Sequence, residues 1–283
     1  MPEETKNVIG VSEATYLRPL LYGLSNSEDY LDLRVDIPAQ LPIELQKRTG
    51  NLRCAFLSPI DYARRGGDYC IVPGVGVSSV NRSNTIQLFI NPDVHDIEKI
   101  AVDIRVTSEI ILAKIILAEK FPNRESSKKT LQFLPMLPNR DEMLHKADAA
   151  LIVNLHPVED VEEEPFALDL VEEWFDMTGL PYVHGCWVGH DEEDLGSVIR
   201  ELLRSKDRGI AHIGQIADVL AVEKKLPRQF VSQYLSNFSY DFGELEQESM
   251  TEFMKYAYFH GILPDVPDLN FFEVGPLPSP SIN

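Results

Sequence analysis

Rhythm is the feature that most limits what this chain can become. Short apolar runs alternate with helix-period segments along most of the sequence, a pattern that favours βαβ units over a helical bundle or a sandwich. The expected class is therefore α/β with a largely parallel sheet. Strands are expected at 7–11, 31–37 and 54–57, with helices at 19–24, 41–49 and 59–64. The rhythm then breaks, because 69–73, 75–79 and 85–90 read as three successive strands separated by turns at Gly74 and 81–84. From Pro92 a second α/β series begins: strand 100–104, helix 107–120, strand 131–134, helix 140–146 and strand 149–154. An acidic loop at 159–164 leads into a helix at 168–178, closed by Gly179 and Pro181, and then a strand at 182–188. Everything after it reads as helical (195–205, 210–225, 227–235, 244–260), followed by a proline-rich surface tail from Ile262.

Charge narrows the partners. Acidic residues outnumber basic ones 45 to 26, a net −19 that repels phosphate backbones and argues against nucleic acid. An anionic ligand must then be caught by local donors working against the overall field, such as a pocket Arg or a helix N-terminus. The start, Met-Pro-Glu-Glu-Thr-Lys, has no basic stretch followed by an apolar run, and the apolar segment 110–118 is interrupted by Lys114. No membrane association and a cytoplasmic location are the expectation. Cys54, Cys70 and Cys186 have no metal-like spacing and read as reduced core residues.

Five segments, in order, carry a family resemblance: Pro19-Leu-Leu-Tyr-Gly-Leu24, Ile71-Val-Pro-Gly-Val-Gly-Val-Ser-Ser79, Ala147-Asp-Ala-Ala-Leu-Ile-Val153, Glu173-Trp-Phe-Asp-Met-Thr-Gly-Leu-Pro-Tyr-Val183 and Tyr234-Leu-Ser-Asn-Phe-Ser-Tyr-Asp-Phe-Gly243. They resemble the chorismate dehydratase family of the futalosine route to menaquinone, over nearly the whole chain. The resemblance implies a fold like type II periplasmic binding proteins: two α/β lobes joined by two hinge crossings, with a helical C-terminal segment. One lobe is then expected from 1–91 plus 184–283 and the other from 92–183, with 264–283 as tail and the strands at 85–90 and 182–188 as the crossings. The implied reaction is a cofactor-free dehydration of chorismate, a dicarboxylate, to 3-[(1-carboxyvinyl)oxy]benzoate, with the substrate's own side-chain carboxylate as a candidate proton acceptor. The alternatives are a cytoplasmic small-carboxylate-binding protein that has lost the reaction, or the sister lyase of the same pathway, for which a catalytic His in the cleft is needed. A structural or interaction protein, marked by an open groove, is the third class.

Ser78 and Ser79 end a strand after a Gly-rich run and match the family's Ser-Ser pair, so they are the first candidates for catalysis. Thr107 and Ser108 match the family's Thr-Ser at the start of a helix whose amides suit an anion. The loop before them carries Arg105 and Val106 in place of small hydroxyl residues, which makes Arg105 a candidate carboxylate clamp. In the first loop the family has an Asn before its Pro-Leu. Here Tyr16 or Thr15 falls at that place, with Arg18 beside Pro19 and Glu13 nearby; Tyr16 and Arg18 are the candidate replacements. Asp103 and Asn154, like Asp148, end strands that can reach a cleft. Weaker signals are His184, Cys186 and His190, which lack a fourth metal ligand, and a Gly74–Gly76 pair with no following helix. No metal or cofactor is expected.

Overall fold

A computed structural model describes residues 7–24, 31–48, 51–80, 82–94, 96–120, 131–158 and 166–274; the acidic loop 159–164 and the tail beyond 274 lie outside the described residues. The first strands, β1 (Asn7–Val11), β2 (Leu31–Val35) and β3 (Leu52–Leu57), run parallel in the order β2-β1-β3. Helix α1 (Leu41–Gln46) packs on them, and a 3₁₀ helix (Thr15–Leu21) follows β1, starting four residues before the expected helix. Pro19 sits inside that turn, lacking the N–H that a longer α-helix would need. After α2 (Pro59–Ala63), the two strands expected around Gly74 are one, β4 (Tyr69–Ser79). Gly74 is not a reversal; at φ +75° it bends the strand, and both halves stay paired.

The chain then leaves the first sheet and builds a second from β5 (Ile86–Ile90), β6 (Lys99–Asp103), β7 (Gln132–Met136), β8 (Ala149–Val153) and β9 (Ala167–Asp169), ordered β7-β6-β8-β5-β9. Pro135 is tolerated because β7 is an edge strand. Its helices are α3 (Ser108–Lys120), α4 (Arg140–Lys146) and α5 (Leu170–Thr178), the last capped by Asp169, whose carboxylate accepts from Val171 and Glu172 N–H at 3.0 and 3.3 Å. The return strand β10 (Tyr182–His190) inserts antiparallel between β3 and β4. Its residues through Gly189 are buried, which accounts for its near-continuous apolar sequence. β5 and β10, expected as crossings, are thus full sheet members, and the crossings are the connections that precede them. Both sheets are mixed rather than wholly parallel.

Helices α6 (Gly196–Ala211), α7 (Ile213–Lys224), α8 (Arg228–Ser236) and α9 (Glu244–Phe259) complete the first lobe, with one strand the sequence reading lacked, β11 (Phe238–Ser239), pairing with Ser79 and Ser78. The segment expected to be a loose tail is held as far as Phe272: Ile71 N–H donates to Asn270 O (2.8 Å), Phe272 N–H donates to Ile71 O (3.0 Å), and the Tyr62 hydroxyl donates to Asp268 O (2.8 Å). No described helix is long and apolar enough to cross a membrane.

The 3₁₀ helix that carries Tyr16 is fixed from behind by α6. Ser205 Oγ donates to Leu20 O at 2.7 Å, and at Gly209 an added Cβ would lie 1.9 Å from Pro19 O. Gly209→Ala is therefore expected to destabilise the protein by about 3 kcal/mol or more, the upper end of overpacking costs, because backbone must move. Urea unfolding of this variant against Gly214→Ala, where a Cβ meets only an Arg228 side-chain atom at 3.6 Å, checks the expectation.

Candidate functional site

Both sheets point the carboxyl ends of their parallel strands at the space between the lobes, where open α/β sheets place ligands. From the first lobe, the end of β1 supplies Ser12 and Tyr16, and the end of β3 supplies Ser58 and Asp61. From the second, the end of β6 supplies Thr107 and Glu109, and the end of β8 supplies Leu155. His184, near the start of β10, forms part of the wall. The lobes stand closed. Thr15 N–H donates to Leu155 O (2.7 Å), Ala39 N–H to Arg105 O (3.0 Å), and the Thr107 hydroxyl to both carboxylate oxygens of Asp61 (3.0 and 3.1 Å). The space left is about 30 Å³, enough for a water or two but not for an organic acid, so a ligand enters only when the lobes part.

The expected residues separate once placed. Neighbouring strand residues face opposite sides of a sheet, and Ser78 and Ser79 obey this: Ser78 Oγ donates to Glu246 on α9 (3.1 Å), while Ser79 Oγ lies 2.7 Å from His184 Nε2. Only Ser79 reaches the cleft wall, through His184. Tyr16 lines the cleft with its ring against His184 (centroids 5.2 Å) and Phe238 (5.1 Å), and burial pushes its phenol far up. Thr107 lines it too. Ser108 is fully buried beside Tyr182, and neither hydroxyl completes a well-formed hydrogen bond.

Arg18 lies on the outer side, paired with Glu223 of α7 at 3.1 and 3.3 Å. Arg105 is already engaged: its guanidinium grips Asp103 at 2.7 to 3.2 Å and donates to Val153 O at 3.0 Å. A buried carboxylate with a cation in place is the cheaper arrangement for both, and it leaves neither side chain for a ligand. Asn154 spends its amide on Asn84 O (2.8 Å), and Asp148 accepts from Glu98 and Lys99 N–H at 2.9 and 2.7 Å. His190 turns to Leu45 O (3.0 Å), away from His184, and no cluster of His, Cys, Asp or Glu among the described residues could hold a metal.

Sequence reading singled out neither Asp61 nor Glu109 and weighed His184 only as a metal ligand, yet all three line the cleft. Asp61 is buried, which raises its carboxyl, while hydrogen bonds from Ser58 (2.5 Å) and Thr107 and the Arg64 charge oppose the rise. Glu109, 8% exposed, is pushed up to about 7, first by burial and then by Asp61 and Asp103. His184 is pulled down to about 3 by burial alone. A signal existed for His184, an imidazole at an odd position in an apolar run. For the two acids it did not, since each sits in the first turn of a helix, where acidic residues are common for dipole reasons.

The surroundings of His184 fix a sign. A histidine whose folded pKa is depressed gives stability that is fully present above about pH 6.5 and is lost as pH falls toward 3. His184 should therefore show no imidazole titration by NMR between pH 5 and 8. Below pH 6.5 it should add up to about 1.4 kcal/mol per pH unit to the loss of stability, relative to His184→Gln. An ordinary midpoint near 6.5 for this ring would overturn the neutral Ser79–His184 pair.

Comparisons with known proteins agree on the architecture. Residues 8–259 match the model of a family described as menaquinone biosynthesis. The chorismate dehydratase of Thermus thermophilus is 22% identical over 231 residues, covering 75% of this chain and 83% of its own. Among solved structures, protein AF1704 from Archaeoglobus fulgidus superposes with a TM-score of 0.68 at 16% identity, over 92% of this chain and 100% of that one. The periplasmic aliphatic sulphonate binding protein SsuA from Escherichia coli superposes at 0.58 and 14% identity, over 93% and 95%. The fold is that of the periplasmic binding proteins.

Proposed function

Because the chain belongs to the menaquinone biosynthesis family, we propose that it is a lyase of the chorismate dehydratase type, acting in the cytoplasm on the futalosine route. It closes two lobes over chorismate and releases water and 3-[(1-carboxyvinyl)oxy]benzoate. The observation that carries this reading is the enclosed cleft at the strand ends, lined by hydroxyls, two buried acids and a neutral imidazole and sealed by hydrogen bonds between lobes. Water exclusion suits an elimination, because every hydrogen bond to a developing charge is stronger in a dry site. In the reaction the ring carbon–hydroxyl bond breaks and the hydroxyl leaves as water, taking up the proton that the substrate's side-chain carboxylate has accepted from the ring. The C–H on the adjacent ring carbon gives its proton to the substrate's side-chain carboxylate, and that electron pair completes the aromatic ring.

In this assignment Thr107 and Tyr16 contact the substrate, and Ser79 orients His184 against the ring. Ser78 has a structural role through Glu246, and Arg18, Arg105, Asp103 and Asn154 hold the loops. The sister lyase of the same pathway is the second reading, favoured by the one feature it requires, an imidazole in the cleft. His184 is neutral and so able to accept a proton.

Purified protein incubated with chorismate and no added cofactor is expected to form the substituted benzoate, followed by mass spectrometry. Ser79→Ala and His184→Phe should each lower kcat/KM by about 10 to 10²-fold, the scale of a buried hydrogen-bond partner left unpaired. Ser78→Ala should leave turnover within about threefold and cost about 1 kcal/mol of stability. Folded wild-type protein that binds chorismate but leaves it intact, beside an active family member, would instead support the small-carboxylate-binding protein, and inert chorismate with no binding would favour the sister lyase.

A further inference from the structure

The cleft poses an electrostatic problem that its fold alone does not solve. Its wall carries Asp61 and Glu109, yet Ser12, Ser58, Tyr16, Thr107 and His184, which share that wall, offer no cation. Asp61 has Ser58, Thr107 and, at 3.6 Å, Arg64. For Glu109 no described side chain is within hydrogen-bonding or ion-pairing reach, although it is more than nine-tenths buried. The groups that face it are Asp61 from α2, Asp103 from the end of β6, Tyr16 from the 3₁₀ helix, and Tyr182 and His184 from β10. Two of these are acids, two are phenols kept neutral by burial, and the imidazole is neutral. Arg105, at the end of the same strand as Asp103, is held by that carboxylate in fork geometry. An ionised Glu109 would thus stand in a dry site with only the backbone amides of its own turn to balance it, and any carboxylate ligand would be repelled.

We propose that Glu109 meets the ligand as the neutral acid and donates its proton as a hydrogen bond to a ligand carboxylate, so that an anion enters the cleft together with one proton. This rests on reading the cleft as a small-carboxylate site and names the group that makes such a site possible in a wall without a cation. Glu109 supplies specificity as well, since a carboxylic acid donor rewards an oxygen acceptor at that point and leaves an unpaired buried acid against a ligand that lacks one. The proton stays on Glu109 and not on the ligand, because burial holds the Glu109 carboxyl near 7, above the ordinary range of an organic carboxylate.

Two measurements on the full chain test it. Isothermal calorimetry with 3-[(1-carboxyvinyl)oxy]benzoate as probe, in two buffers of different ionisation enthalpy, should show uptake of about one proton at pH 8 and little at pH 6. The Kd should weaken toward tenfold per pH unit above about 7, the limit for one linked proton. Glu109→Gln, which keeps a donor and the side-chain shape, should bind without uptake and with a flat pH dependence. Infrared difference spectra of wild type against Glu109→Gln, taken without ligand, should contain a protonated-carboxyl band that disappears as pH rises through about 7. A flat wild-type Kd with no proton uptake overturns the proposal, as does absence of the infrared band at pH 6. Failure of the probe to bind at any pH, with the band present, counts against the dicarboxylate reading and leaves Glu109 established as the cleft's acid.

Discussion

A carboxyl group taken out of water must be given hydrogen bonds or a cation, or it must keep its proton, and the meeting of the two lobes depends on how three such groups are treated. Asp103 is fully buried and receives a guanidinium in fork geometry from Arg105. Asp61 is given two hydroxyls, one of which belongs to the other lobe. Glu109 is given only the backbone amides of its own turn, and burial pushes its carboxyl up to about 7. Losing the Arg105 side chain would leave an uncompensated ion, a change of about 3–5 kcal/mol for a buried pair, and would release Val153 O from its contact with the guanidinium. The second loop of the cleft is therefore shaped by an internal ion pair, with the consequence that the arginine nearest the strand ends is unavailable to a ligand.

The same accounting explains the closed form. Thr107 and Asp61 join lobes through side chains, whereas Thr15–Leu155 and Ala39–Arg105 join them through backbone. Further out, Trp174 Nε1 donates to Ser249 Oγ (3.3 Å), and His260 meets Glu119 at 2.8 Å, so α5 and α3 are tied to α9. Each bond is worth only about 1 kcal/mol net.

Much of the fold was legible because it follows from periodicity. β1 and α4 fall where alternation and helix period placed them, and the return of β10 follows from an apolar run too long for an edge. What was not legible depends on partners distant in sequence. Gly74 reads as a turn locally, yet β10 keeps both sides of it paired; Phe238 and Ser239 become a strand only because β4 offers an edge; residues 266–272 are ordered by Ile71 and Tyr62. The site shows the same division. The Ser pair and the Thr107 turn were visible, but that one serine faces α9 and the other His184 follows from the pleat once the sheet's neighbours are known. Arg18 and Arg105 looked free because nothing local revealed Glu223, and because Asp103, two residues away, looked like a separate candidate and not like a partner.

A net charge of −19 and a cleft walled by acids pull in one direction, against anions. If those acids were ionised, the protein would suit a cation or a neutral ligand. Burial reverses the sign, because in a site with little water the free energy of ionisation is set by desolvation more than by the remote surface charges, which are screened within about 10 Å at ordinary ionic strength. A protonated carboxyl is then as good a donor as an amide, with the added property that it vanishes on deprotonation. A side-chain amide donates at every pH. Glu109 is instead a donor whose presence depends on the closed, dry state itself: lobe closure removes the water that would ionise Glu109, and the neutral Glu109 removes the repulsion that would keep the lobes apart around an anion.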